Sequence, residues 1–163
     1  MLADKIIERK DLALIRQEAD QDDFRIVFTN GCFDLMHSGH ALYLEEALAQ
    51  GDILVVGVNS DDSVRRLKGS SRPIIPLRDR MLMLAALEAV DYVVAFDEDT
   101  PYELIMALKP DVLVKGGDWA PAEIVGSDLV LAKGGVVKSL IFKAGVSTSL
   151  IIEKIKAGLK DGT

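Results

Sequence analysis

The sequence is short of several things, and each shortage removes a class of reading. It holds one cysteine, Cys32, in 163 residues. That excludes an internal disulfide and a cysteine-built zinc site. Neither G-x-G-x-x-G nor G-x-x-x-x-G-K-[ST] occurs, which speaks against a dinucleotide dehydrogenase and a P-loop NTPase. Positive charge is scarce: the formal net charge is −7, so no broad basic surface is available for nucleic acid or an anionic membrane. No apolar run approaches the length of a membrane span, and residues 1–6 lack the long apolar core of a signal peptide. A cytoplasmic protein with no membrane partner is expected. No internal repeat or low-complexity segment is evident.

What is present suits one ordered domain with a sizeable core: 49% of residues are apolar and 28% charged. The expected organisation is an N-terminal helical extension over 1–23 and a main domain over 24–163. In the extension, Leu12, Ile15 and Ala19 form a helical stripe, followed by an acidic linker over 20–23.

Apolar β-branched runs predict strands near 25–29, 53–58, 92–96, 112–114 and 136–142. Helical patterns separate several of them, near 39–50, 77–89, from Thr100-Pro101 onward, and from 145 onward. Strands alternating with helices imply parallel βαβ units, hence a Rossmann-like, doubly wound α/β sheet. Thr100, with Glu103 three residues on, predicts a capping box. Residues 61–79 read as a polar, basic loop broken by Gly69, Pro73 and Pro76. The stretch 81–87 is apolar nearly all round, so it is either wrapped by the domain or forms a subunit interface, and a homodimer is expected.

Ligands of such sheets bind beyond the carboxyl ends of the strands. The most distinctive stretch lies there: Phe28-Thr29-Asn30-Gly31-Cys32-Phe33-Asp34-Leu35-Met36-His37-Ser38-Gly39-His40. Both histidines of the chain fall where a strand hands over to a helix. Free backbone N–H groups and the helix dipole make that point a seat for phosphate, and imidazoles there can donate to a developing charge. Cys32 reads as a small turn residue. The cations to match are Arg65, Arg66, Lys68, Arg72, Arg78 and Arg80, with Asp79 the one acid among them. Asn59, Lys115-Gly116-Gly117-Asp118 and Ser147-Thr148-Ser149 also fall at carboxyl edges or a helix start. The two glycines are either a tight turn or a close approach to ligand. The hydroxyls are caps that are equally suited to donate to phosphate.

G-x-F-D followed by H-x-G-H in a strand–turn–helix setting resembles the signature of the nucleotidylyltransferase superfamily. Taken with Val58-Asn59-Ser60-Asp61, Arg66-Leu67-Lys68-Gly69, Arg72-Pro73, Val90-Asp91, Lys115-Gly116-Gly117-Asp118 and Ser147-Thr148-Ser149 in this order, the chain resembles the D-glycero-D-manno-heptose 1-phosphate adenylyltransferases. In many bacteria this activity is fused behind a sugar kinase. No such portion is read in these residues, and a stand-alone form is expected.

The resemblance implies ATP and a sugar 1-phosphate as substrates, with Mg²⁺, and no metal ligands assigned among the residues. It implies that His37 and His40 contact the triphosphate and that Lys68 neutralises phosphates. Thr29, Asn30, Gly31, Cys32 and Phe33 would lie against the nucleotide, Asp118 would contact the nucleoside, and Ser147, Thr148 and Ser149 would hold the β- and γ-phosphates. Asp34, Asn59, Arg72, Arg80 and Lys115 are candidates for the sugar-phosphate side. Asp34 has two alternatives, holding a metal-bound water or buttressing the loop. The competing readings are a glycerol-3-phosphate cytidylyltransferase or FAD synthetase type, and a non-catalytic nucleotide-binding module.

Overall fold

In the computed structural model, which describes residues 1–141 and 146–160, six strands form one sheet. They are β1 (Ile6–Ile7), β2 (Ile26–Gly31), β3 (Ile53–Asn59), β4 (Tyr92–Phe96), β5 (Val112–Gly116) and β6 (Val136–Leu140), in the order β1-β4-β3-β2-β5-β6. Every neighbouring pair is parallel. The helices are α1 (Leu12–Gln21), α2 (Ser38–Leu48), α3 (Asp61–Lys68), α4 (Leu77–Ala85), α5 (Tyr102–Leu108), α6 (Ser127–Ala132) and α7 (Thr148–Lys160).

Side chains alternate across the strands and build two cores. On one face Val27, Leu54, Val56, Val58 and Val93 meet Leu44 and Ala47 of α2 and Leu84 and Ala85 of α4. On the other, Ile26, Phe28, Val55, Val94 and Leu113 meet Leu12, Ile15 and Ala19 of α1, Leu104, Ile105 and Leu108 of α5, and Val130 of α6. Helices on both faces of a parallel sheet are the doubly wound α/β arrangement expected from the alternation of runs. The chain leaves β2 toward β3 and later returns to β2's other side with β5. The crevice therefore opens between β2 and β5, where the strand order reverses.

The first 23 residues carry more than a helix: Ile6 and Ile7 pair with Val93 and Val94 and extend the sheet by one strand. The basic segment read as a loop over 61–79 starts with a helix instead. Ser60 caps α3 by accepting from the Ser63 N–H at 3.0 Å, Asp61 and Asp62 occupy its first turn, and Arg65, Arg66 and Lys68 its last. Acids first and bases last suit the helix dipole, and Gly69, at φ 96°, stops it. The expected capping box at Thr100 is absent, since Pro101 takes the N-cap position of α5 with no side-chain cap. In α4, Met81, Leu84 and Ala85 are buried while Met83 is 56% exposed, so the domain covers one side of that apolar helix. The strand expected to reach 142 ends at Leu140, and residue 142 and the helix start expected at Gly145 lie outside the described residues.

Candidate active site

The crevice is a cavity of about 660 Å³, within the usual range for small-molecule sites. Its floor is the end of β2 and the loop into α2. That loop is tightly wound: Phe33 and Leu35 both sit in the left-handed region, at φ 49° and 50°. Such a conformation costs about 1–2 kcal/mol per non-glycine residue and is sustained by its surroundings.

Much of that support comes from Asp34. Its side chain is almost wholly buried, and its carboxylate accepts from the Ile74 N–H at 2.8 Å, the Ile75 N–H at 2.9 Å and Arg72 Nε at 2.6 Å. Burial opposes ionisation, but the two main-chain donors and the guanidinium outweigh it and hold the carboxyl below its ordinary range. Of the readings left open for Asp34, this geometry is that of a buttress. Its main-chain carbonyl accepts from Thr148 Oγ1 at 2.9 Å, which docks the start of α7 on the same loop.

The two imidazoles stand at the head of α2 with ring centroids 4.0 Å apart. His37 is the N-cap: its Nδ1 accepts from the Gly39 N–H at 3.1 Å. His40 Nδ1 accepts from the His37 N–H at 3.3 Å. A ring nitrogen that accepts carries no proton, so both rings hold theirs on Nε2. Burial, reinforced by the neighbouring His37, lowers the His40 pKa to about 4, so His40 is a neutral hydrogen-bond donor at pH 7. Gly39 is required between them, because a Cβ there would meet the His37 ring at 2.9 Å. The same Cβ position lies 4.0 Å from the Val146 carbonyl oxygen. The histidine turn and the approach to α7 thus lie close together, and Ser147, Thr148 and Ser149 line the same cavity as His37 and His40.

The six cations divide sharply. Lys68, at the end of α3, and Arg72 line the cavity. Arg65 and Arg66 are half-exposed and paired with Asp62 and with Asp97 and Asp99, and Arg78 is exposed. Arg80 corrects the expectation of a sugar-phosphate contact. It is 1% exposed and lies behind the loops, donating to the carbonyls of Ile75 (3.0 Å), Cys32 (2.5 Å) and Asn59 (2.8 Å) and to Asp61 Oδ1 (2.8 Å). Thr29, expected against the nucleotide, is buried beneath the cavity with Oγ1 2.7 Å from the Tyr43 hydroxyl. Asp118 is on the exposed loop after β5 and does not line the cavity.

Asn30, Gly31, Cys32, Phe33, Asn59 and Lys115 do line it. Burial pushes the Cys32 thiol up against the pull of Lys68, Arg80 and Arg72, so it is not poised as a nucleophile. Asn59 is buried and donates to Ser63 Oγ at 3.0 Å.

Sequence reasoning passed over several lining residues: Tyr43, Leu67, Thr100, and the apolar pair Ile124 and Val125. Tyr43 lies on the inner face of α2, three residues after His40, and that register was its only signal. Ile124 and Val125 follow a short 3-10 turn that no periodicity marks. A second hollow, near 680 Å³, opens at the end of β4, but it is a surface of ion pairs, Arg9 with Glu98 and Arg66 with Asp97 and Asp99. Among the described residues no three His, Cys, Asp or Glu side chains converge as a metal site.

Similarity to known proteins agrees with this geometry. The cytidylyltransferase-like family profile matches residues 28–154. "Bifunctional protein HldE" of Wolinella succinogenes is 55% identical over 153 residues, covering 94% of this chain and 31% of that protein. Its namesake in Photorhabdus laumondii is 58% identical over 139 residues, covering 85% and 29%. The chain thus spans about a third of the length of these curated relatives. Among solved structures, the lipopolysaccharide core biosynthesis protein from Thermoplasma volcanium superposes with a TM-score of 0.61 at 30% identity, covering 76% of this chain and 99% of that one. Pantoate-beta-alanine ligase from Francisella tularensis, at 16% identity and a TM-score of 0.57, shares the fold alone. The profile begins in β2, just before the imidazole turn, and runs into the helix that faces that turn. The chain belongs to the cytidylyltransferase-like family.

Proposed function

We propose that this chain transfers AMP from ATP to D-glycero-D-manno-heptose 1-phosphate, giving ADP-heptose and pyrophosphate. One observation carries the reading: two imidazoles whose Nδ1 atoms accept, leaving the proton on Nε2, share a cavity with the hydroxyl-bearing start of α7. The motif order and the names borne by the relatives favour heptose 1-phosphate over other acceptors.

The chemistry is direct displacement. A phosphate oxygen of the sugar 1-phosphate forms a bond to the α-phosphorus as the bond to the bridging oxygen of pyrophosphate breaks. The nucleophile is already an anion, so no general base is needed, and the protein's task is to align two repelling anions and offset charge. His37 and His40 donate from Nε2 to the oxygens of the phosphorus under attack. Lys68, from the last turn of α3, supplies a positive charge. The free N–H groups at residues 147–149 and the Ser147 and Ser149 hydroxyls hold the departing pyrophosphate, while the Thr148 hydroxyl is engaged by the Asp34 carbonyl. Arg72, with Lys115 across the cavity, offers charge to the acceptor phosphate.

Among the described residues the protein's own donors do not fit a resident Mg²⁺, since no three His, Cys, Asp or Glu side chains converge and both Asp34 oxygens are engaged. Mg²⁺ enters as part of the nucleotide substrate, held chiefly by phosphate oxygens. A cytoplasmic homodimer completes the proposal, with the exposed side of α4 as a contact. Light scattering at micromolar concentration tests it, and a monomer mass overturns it.

The deciding experiment is pyrophosphate release from heptose 1-phosphate with each nucleoside triphosphate in turn. Turnover with ATP alone is expected. A preference for CTP, or for glycerol 3-phosphate, transfers the assignment to another branch of the family. Tight ATP binding with no release from any sugar phosphate leaves a binding module.

A further inference from the structure

β2 pairs with β3 along its whole length, from Ile26 to Gly31, but with β5 only at Val27 and Phe28. β5 meanwhile continues to pair with β6 as far as Gly116. Beyond Phe28 the two central strands are therefore no longer bonded to each other, and the parting between them is the floor of the crevice. One side chain spans it. The Tyr43 hydroxyl lies 2.7 Å from Thr29 Oγ1 on β2, and the Gly116 main chain on β5 is near enough to favour its ionised form. The residue is 6% exposed and borders the cavity, and its Cα is three residues along α2 from His40, on the same helix face. An aromatic ring is a stiff spacer, with two torsions and no flexible stem.

We propose that Tyr43 is a positioning residue of this site: its hydroxyl ties Thr29 to Gly116 and so fixes both the parting of β2 from β5 and the seat of the histidine-bearing end of α2. Three elements meet at one oxygen. Two of them, β2 and β5, bound the crevice, and the third carries both imidazoles. Without the hydroxyl, Thr29 and the Gly116 amide lose their common partner. The strand ends are then free to close up or admit water, and α2 to shift by a fraction of an ångström. Phosphoryl transfer is sensitive to such shifts, a 1 Å misplacement being worth about a hundredfold in rate.

The inference rests on the proposed transfer for its kinetic test only. Tyr43→Phe keeps the ring and removes the oxygen. Amide hydrogen exchange at Gly116 in the ligand-free protein reads the tie directly, and kcat and both KM values read its consequence. Faster exchange at Gly116, with kcat lowered about ten- to a hundredfold and KM for the sugar phosphate little changed, is the expected result. A purely structural tyrosine would lower the melting point and leave kcat and KM alone, which overturns the positioning role. Unchanged exchange at Gly116 overturns the tie itself. If Tyr43→Phe does not fold, Thr29→Val breaks the same tie from the other side and is read by the same measurements. Wild-type protein inactive on every sugar phosphate refutes the transfer reading, and the exchange result then judges the tie alone.

Discussion

Arg80 offers the sharpest test of how this site is held, because sequence and structure assign it different work. Replacing it with Met keeps much of its volume and removes every donor. Three carbonyls and Asp61 Oδ1 lose a partner. Asp61 retains the Leu77 N–H at 2.9 Å. The Asn59 carbonyl faces a bond buried throughout, whereas those of Cys32 and Ile75 belong to half-buried residues that water can reach in part. A buried acceptor left without a partner costs about 1–3 kcal/mol, and the ion pair to Asp61, whose side chain is 31% exposed, adds less than the roughly 3–5 kcal/mol of a fully buried pair. A loss of roughly 3–5 kcal/mol is expected, a large fraction of a typical domain's stability. Urea unfolding followed by circular dichroism measures it. With a slope of about 1–3 kcal/mol/M, the midpoint should fall by more than about 1 M. Arg80→Lys should recover only part of the loss, since one ammonium cannot serve four acceptors in the plane of a fork. A midpoint unmoved by Arg80→Met, together with a steep rise in KM for the sugar phosphate, would refute the reasoning and return Arg80 to the ligand.

His40→Ala or Lys68→Ala should lower turnover about a hundred- to a thousandfold with folding intact, and an unaltered rate of pyrophosphate release removes that residue from the mechanism. The His40 ring should titrate near pH 4 by NMR in the free protein, and a midpoint above 6 contradicts its burial as a neutral donor. Because its folded pKa lies below the unfolded value near 6.5, the unfolded chain takes up the proton first. Its contribution to stability is complete above about pH 6.5 and is lost as pH falls toward 4, a slope that His40→Ala should abolish. Asp34→Asn should release residues 70–76, seen as faster thermolysin cleavage beside Ile74 and Ile75, and a cleavage rate equal to wild type argues against Asp34 as their anchor.

The fold was largely legible because its signals are local. The stripe of Leu12, Ile15 and Ala19 is buried as its spacing requires, and the β-branched run at 53–58 is a strand buried on both faces. What escaped was short or set by distant contacts. Two isoleucines at 6 and 7 carry no periodicity, and only β4 makes them a strand. α3 was overlooked because Gly69, Pro73 and Pro76 coloured the whole segment as loop, although Ser60, Asp61 and Asp62 announced a helix start. The imidazole turn was readable from its residues alone. Arg80 was not, since nothing in a run of cations tells which one turns inward to carbonyls that lie as far as 48 residues away. Tyr43 was hidden for the same reason: Thr29, which its hydroxyl meets, is on β2.

The hydrogen bond from Thr148 to the Asp34 carbonyl spans 114 residues of sequence. During synthesis the ribosome delivers both imidazoles long before the hydroxyls that face them. If the proposed transfer is right, a nascent chain that has completed β2 and α2 owns only half of the phosphate seat, and nucleotide gives it no help in folding until α7 has emerged. Ligand-assisted maturation is thereby confined to the finished domain.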